Sequence, residues 1–345
     1  MTKQIMVGGV PIGGGAPVTI QSMTNTRTDD VEATLHQIRT LAAAGCEIIR
    51  VAVPDMAAAK AVGKIKEESP IPVVVDIHFD YKLALEAIAA GADKVRINPG
   101  NIGGADHVKA VAQACARRGV PIRIGVNGGS LEKPLLAKYG GVCPEAMVES
   151  AFGHIRLLNQ FDFDDICVSL KSSSVPMTMK AYQLMSQASN YPLHIGVTEA
   201  GTVRMGTLKS AVGIGGLLAL GIGDTMRVSL SADPVEEVLA ARDILKAAGL
   251  RREGADMISC PTCGRTRIDL IALANEVEER LKAVDKHITV AVMGCVVNGP
   301  GEAAAADVGI AGGNGEGLLF RKGEIVKKVP QDQLVDELFA LVDQL

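Results

Sequence analysis

Eight times within roughly its first 250 residues, the chain runs a short β-branched segment into polar residues and then into a helical pattern. The strand segments read APVTIQSM, EIIRVAV, PVVVDIHF, KVRINPG, PIRIGVN, DICVSLK, PLHIGVT and TMRVSLS. The stretches between and after them, such as DDVEATLHQIRTLAAAG and DPVEEVLAARDILKAAG, carry apolar residues three and four apart, as helices lying on a sheet do. Strands alternating with helices pair in parallel, because each helix returns the chain across the sheet. Eight such units fit a (β/α)8 TIM barrel; an open doubly wound sheet is the competing arrangement. Local punctuation agrees. Asp29 and Asp233 are placed to cap helices, Pro234 suits a first helical turn, and Gly45, Gly91, Gly119 and Gly249 stand where helices stop.

The glycine-rich stretches do not read as nucleotide loops. VGGVPIGGGAPV lacks the Gly-Lys-Ser/Thr ending of a phosphate loop and precedes the first strand, so we read it as a hairpin closing the bottom of the barrel. GIGGLLALGIG follows no strand, which argues against a dinucleotide fingerprint. With no Trp and 3% aromatics, the chain offers no stacking platform for single-stranded nucleic acid. A net charge of −4 argues against a partner recognised by general basicity. MTKQIMVGGV lacks a signal peptide's apolar run, and AVGIGGLLALGIG is too short and glycine-rich to span a bilayer. The expectation is a cytoplasmic protein that partners neither nucleic acid nor membrane.

In such barrels the site lies at the C-terminal strand ends. Read in order, those ends carry Arg50; Asp76 and His78; Arg96 and Asn98; Arg123 and Asn127; Lys171; Glu199; Arg227 and Ser229. Five cations converge on one rim. Each alone is as well explained by a neighbouring carboxylate, but only Asp76 and Glu199 occupy comparable positions. Like charges gathered together call for an anion, and the guanidinium fork suits phosphate oxygens. A small molecule with two phosphoryl groups is the economical ligand. His78, which alone reads as structural, stands beside Asp76 and opposite the arginines, placed to donate to phosphate.

After LRREGADM the pattern breaks, giving a first domain over residues 1–250 and a second over 251–345. The second reads as α+β: a helix IDLIALANEVEERLKA, a strand HITVAVMG, a glycine-rich hairpin region and a closing helix QDQLVDELFALVDQL. It opens on ISCPTCGRT, with Cys260 and Cys263, and later reads MGCVVNGPGEAAAADVG, with Cys295 and Glu302. Seven cysteines without an export signal read as buried thiols or metal ligands rather than disulfides. Cys46, Cys115 and Cys167 fall in packing contexts, and Cys143 is assigned nothing. The Cys-x-x-Cys pair suits an iron–sulfur site, half a zinc site or a dithiol redox pair, and spacing alone leaves all three open. His287, the nearby histidine, lies on the far side of the strand from Cys295.

SCPTCGRT and MGCVVNGPGEA, joined to a barrel with IIRVAVP, KVRINPGN, PIRIGVNGGSLE and VSLKSS, closely resemble the 4-hydroxy-3-methylbut-2-enyl diphosphate synthase family over the whole chain, in its compact bacterial form. The resemblance implies a TIM barrel and an α+β domain holding a [4Fe–4S] cluster on Cys260, Cys263 and Cys295, with Glu302 on the fourth iron. It implies 2-C-methyl-D-erythritol 2,4-cyclodiphosphate as substrate, held by Arg50, His78, Arg96, Asn98, Arg123, Asn127, Lys171, Arg227 and Ser229. Catalytic roles fall to Glu302, to Glu199 as proton donor and to Asp76 for positioning. It also implies a flavodoxin or ferredoxin donor, a hinge near residues 249–254, and a homodimer in which the cluster domain of one chain covers the barrel of the other. The rivals are a zinc-stabilised barrel lyase or hydrolase of a phosphorylated sugar, and a non-enzymatic iron–sulfur electron carrier. A carrier leaves the arginine-lined rim without a purpose.

Overall fold

A hairpin of β1 (Ile5–Val7) and β2 (Val10–Ile12) leads into eight parallel strands: β3 (Thr19–Met23), β4 (Ile48–Ala52), β5 (Val73–Asp76), β6 (Lys94–Ile97), β7 (Ile122–Asn127), β8 (Ile166–Lys171), β9 (His194–Ile195) and β10 (Thr225–Met226). The computed structural model describes residues 1–98, 100–296, 301 and 303–345. It divides into two compact units, Met1–Arg251 and Arg252–Leu345. In the first, the strand order is β8-β7-β6-β5-β4-β3-β10-β9, and a parallel bridge from Val168 to Leu193 joins the two ends. The sheet is therefore a barrel, and the open alternative is excluded.

That seam is the thin part of the ladder, because β9 and β10 are two residues each. Tyr182, on the helix Val175–Ala188, bolts it. Its hydroxyl donates to the His194 carbonyl at 2.6 Å and accepts from the Leu170 amide at 3.0 Å, tying β9 to β8 where ladder bonds are few. Fully buried among apolar neighbours, the phenol is pushed up from its ordinary pKa by desolvation.

Strand alternation sorts the barrel into two environments. Ile49, Val51, Val73, Val75, Ile122 and Ile124 point outward and pack with Leu35, Ile38, Val62 and Val111 from the surrounding helices. The opposite parity points inward. Ile48, Val74 and Cys167 meet Ile5, Val7 and Ile12 of the hairpin, so the glycine-rich leader does close the barrel's floor.

Capping follows the expected chemistry with one correction. The helix Val31–Ala43 is capped by Asp30, whose carboxylate accepts from Ala33 N, and not by Asp29, which turns to Arg27 at 2.8 Å. Asp233 caps Pro234–Ala247 as read. Cys143, left unassigned, caps Pro144–Asn159 through its sulfur.

The second unit is a mixed sheet ordered β11 (Asp256–Ser259), β12 (Thr289–Met293), β13 (Val308–Gly312), β14 (Glu316–Arg321) and β15 (Glu324–Pro330). The first three strands are parallel and the last two antiparallel. Helices Leu270–Leu281 and Leu334–Asp343 pack on the face bearing Val290, Val292, Ile310 and Leu319. Ala291, Met293, Ala311 and Phe320 form a second apolar layer with Ala303 and Ala306. Strand β11, absent from the sequence reading, sets the cysteine pair at a strand end. Among the described residues no helix is long and apolar enough to cross a membrane.

Candidate active site

The inward parity above the floor is polar. Arg50 of β4, Asp76 of β5, Arg96 of β6 and Arg123 of β7 stand on neighbouring strands in register: Arg50 two residues below Asp76's partner Ala52, and Arg96 beside both Asp76 and Arg123. Asp76 is the hub. Its carboxylate lies 3.0 Å from Arg96 Nη1 and 3.6 Å from Arg50 Nε, and His78 Nε2 is 3.9 Å away. Two inward glycines make room. A Cβ on Gly125 would come 2.6 Å from Arg96 Nε, and one on Gly196 would come 2.9 Å from Lys171 Nζ. The long cations thus fold into a barrel whose walls are bare at those points.

Sequence reasoning counted carboxylates only at strand ends and so missed Glu237. This residue, 4% exposed on the helix Pro234–Ala247, receives Arg227 at 3.1–3.2 Å through Nε and Nη2. Ser22 Oγ and Leu230 N donate to it as well. Its place in the first turn after a strand end was the available signal. Also missed was Met23, whose sulfur lies 3.0 Å from Arg50 Nη2 and 3.6 Å from Arg227 Nη1. Lys94 and Gln21 were missed because they sit lower on their strands. Both are inward-facing and at most 1% exposed.

Even with Glu237 counted, cations outnumber carboxylates. Arg50, Lys94, Arg96, Arg123, Lys171 and Arg227 face Asp76 and Glu237. Arg123 Nη1 donates to Ser169 Oγ at 3.1 Å, while its Nε and Nη2 find no protein partner among the described residues. Burial raises the Asp76 carboxyl, yet Arg50, Arg96 and Arg123 overcome it and pull the group down to about 2. Asp76 is therefore a fixed anion that orients guanidinium groups; it holds no proton to give near neutrality. Burial, reinforced by the neighbouring arginines, drives Lys171 well below the ordinary lysine value. Such crowding is unfavourable unless an anion enters.

The remaining strand-end residues differ in setting. Asn98 is buried, and its side chain accepts from Gly100 N at 3.0 Å, shaping its own loop. Asn127 ends β7, Ser229 is half-buried beyond β10, and His78 is exposed. Glu199 is exposed too, with φ of 52°, a left-handed conformation that a non-glycine residue adopts under local constraint.

In the second unit the parallel strands β11 and β12 end side by side. Cys260 follows β11, Cys295 follows β12, and Cys260 Sγ accepts from Gly294 N at 3.1 Å. Cys263 lies on the turn after Cys260, where its amide donates to Thr266 Oγ1; hydrogen bonds from the Arg265 amide and Thr266 pull its thiol down. All three are free thiols, and Cys260 packs against the Ala291–Phe320 layer. His287 precedes β12 and so sits at the opposite end from Cys295, on the order of 20 Å away along the strand. Among the described residues no three His, Cys, Asp or Glu side chains converge enough to hold a metal ion; Glu302 lies outside the described residues. A surface cleft of about 450 Å³ on this unit is lined by Asp269, Glu276, Asp332 and Asp336, whose carboxylates repel a polyanion.

These features define a TIM-barrel protein with a surplus of buried cations inside the barrel, joined to an α+β domain with three free thiols on the segments that follow two adjacent strands. The chain belongs to the GcpE family: residues 2–242 match the GcpE TIM-barrel domain, and residues 256–344 match the GcpE protein C-terminal domain. It is 63% identical over 344 residues to a 4-hydroxy-3-methylbut-2-en-1-yl diphosphate synthase (flavodoxin) of Geobacter sulfurreducens, covering 100% of this chain and 98% of that one. A synthase of the same name from Ruminiclostridium cellulolyticum is 57% identical with the same coverage. Among solved structures, a Leptospira borgpetersenii N-acetylneuraminic acid synthetase (TM-score 0.52, 16% identity) covers 81% of this chain and 97% of its own. A Yersinia pestis dihydropteroate synthase (TM-score 0.50, 14% identity) covers 73% of this chain and 100% of its own. At those identities the likeness concerns the fold alone.

Proposed function

We propose that the chain is an iron–sulfur oxidoreductase of isoprenoid biosynthesis. It converts 2-C-methyl-D-erythritol 2,4-cyclodiphosphate to 4-hydroxy-3-methylbut-2-enyl diphosphate with two electrons from flavodoxin. The observation that carries this reading is the surplus of buried cations inside the barrel of a GcpE-family chain. A cyclic diphosphate supplies two negative charges to a cavity that needs them. Arg96 and Arg123 present guanidinium forks to its oxygens, Lys171 and Arg227 close the ring of charge, and Asn98, Asn127, His78 and Ser229 donate at the rim. Arg50, clasped by Asp76 and Met23, contributes field more than direct contact. The anchored diphosphate fixes the reacting carbons, so its binding energy serves orientation.

The thiols of Cys260, Cys263 and Cys295 suit a [4Fe–4S] cluster, with Glu302 as the fourth ligand by family resemblance. They are free, they sit on two adjacent strand ends, and amide N–H groups reach two of the sulfurs. When bound, the cluster supplies electrons singly and one iron whose carboxylate ligand is exchangeable. Ring opening at the tertiary carbon and loss of a hydroxyl as water consume a proton. Glu199, solvent-accessible in the loop that follows β9, is the donor that can be recharged from bulk. A cytoplasmic setting and a homodimer belong to the same proposal, and sedimentation at micromolar concentration checks the latter.

Anaerobic purification followed by iron and sulfide analysis tests the reading. Four of each per chain, with turnover of the cyclic diphosphate by reduced flavodoxin, is the expected result. Zinc on the thiols, or a cluster without turnover, overturns it in favour of the lyase or the carrier.

A further inference from the structure

Lys94 opens β6, two residues below Arg96 on the same inward parity, and is wholly buried. Its ammonium finds no hydrogen-bond partner among the described residues. The titratable groups facing it from the surrounding strands are Arg50 of β4, Arg123 of β7, Cys167 of β8 and His194 of β9. Strands β3 and β10 offer Thr19, Gln21 and Thr225, which are uncharged, and the hairpin floor is apolar. Among the described residues no carboxylate pairs with Lys94, since Asp76 and Glu237 are engaged higher up by Arg50, Arg96 and Arg227. Thr19 Oγ1, both amide atoms of Gln21 and His194 Nε2 share this layer and are likewise without protein partners. The barrel therefore holds a sealed polar storey between its floor and its cationic mouth.

A buried ammonium among like charges is costly, and it escapes that cost by releasing its proton. Arginine has no such exit, because guanidinium keeps its proton in proteins. Lysine does. We propose that Lys94 is a further member of the anion site, acting from beneath it: the anionic substrate stabilises its ammonium, so that binding takes up a proton wherever the empty barrel holds the neutral amine. The proposal rests on the reading of the barrel as the diphosphate site. Burial, with Arg123 and Arg50 adding to it, brings Lys94 down to about 8, so the empty barrel holds a neutral amine there above that pH. Two phosphoryl charges arriving in the mouth reverse the field and restore the ammonium.

The test is calorimetric. Oxidised holoenzyme, left unreduced so that nothing turns over, is titrated with the cyclic diphosphate at about pH 9 in buffers of different ionisation enthalpy. Each phosphorus of that ligand carries one strongly acidic group, so the ligand itself does not titrate there. The expected result is that wild type takes up roughly one proton more per ligand than Lys94→Met, and that Lys94→Arg, charged throughout, binds without it. Lys94→Met should also bind the ligand roughly tenfold or more weakly at about pH 7, where the wild-type ammonium is already present and its attraction for the anion is lost. Equal proton uptake in wild type and Lys94→Met, with ligand bound, overturns the proposal and leaves the functional reading standing. Failure of the cyclic diphosphate to bind at all sinks both. Should Lys94→Met not fold, Lys94→Arg is the reference, since it keeps the contribution of Lys171: wild type must take up more protons than Lys94→Arg above about pH 8, and matching profiles refute the idea.

Discussion

Asp76 shows how one carboxylate can govern a site without touching the chemistry. It is held near pKa 2 against an unfolded value near 3.8, so the stability it contributes is complete above about pH 4. That contribution, about 2 kcal/mol from the shift, is lost as pH falls through 2. Asp76→Asn should therefore flatten the acid limb of the stability curve of cluster-free protein, while freeing Arg50 and Arg96 to drift and raising KM. Denaturant melts at stepped pH measure the first effect. Lys94 runs the other way. Its folded value near 8 lies below the unfolded 10.5, so the folded state binds fewer protons between those limits and stability rises with pH across them. Lys94→Met should stabilise the empty protein by about 3 kcal/mol below pH 8, a gain that fades by about pH 10.5.

At the scale of elements, the weak ladder at β9 and the bare wall at Gly125 of β7 and at Gly196 just beyond β9 are linked to function. Tyr182→Phe leaves the His194 carbonyl and the Leu170 amide short of a partner, a loss of roughly 1–3 kcal/mol that thermal unfolding should show directly. Gly125→Ala places a methyl 2.6 Å from Arg96 Nε. The guanidinium must swing away, so substrate affinity should fall at least about tenfold while the melting temperature moves little. An unchanged KM would mean that Arg96 does not meet the ligand from this wall.

Across the whole molecule, two separate cores imply separable failures. Cys295→Ser should abolish the cluster and turnover while the barrel keeps its fold and still binds the cyclic diphosphate weakly. Circular dichroism and metal analysis on one sample decide it. Glu302→Ala should retain part of the iron but lose most turnover. Wild-type rates in that variant would strip Glu302 of its proposed role.

Strand–helix alternation carried the barrel in the sequence, because period-2 strands buried on both faces and period-3.6 helices leave a distinct mark on local composition. The same alternation put Arg50, Asp76, Arg96, Arg123 and Lys171 at the strand ends, and the cysteine motifs named the family. What lay beyond it were contacts made across strands and layers. Glu237 reaches Arg227 from a helix, Asp30 rather than Asp29 turns to cap, Tyr182 spans a seam, and Gly125 and Gly196 matter only for the side chains folding over them. Lys94 reads as an ordinary strand lysine until the barrel closes around it. Hydrophobic periodicity is a property of neighbours in the chain, whereas a buried charge gains or loses its partner only when distant segments meet, so the tertiary structure alone decides which charges are left waiting for a ligand.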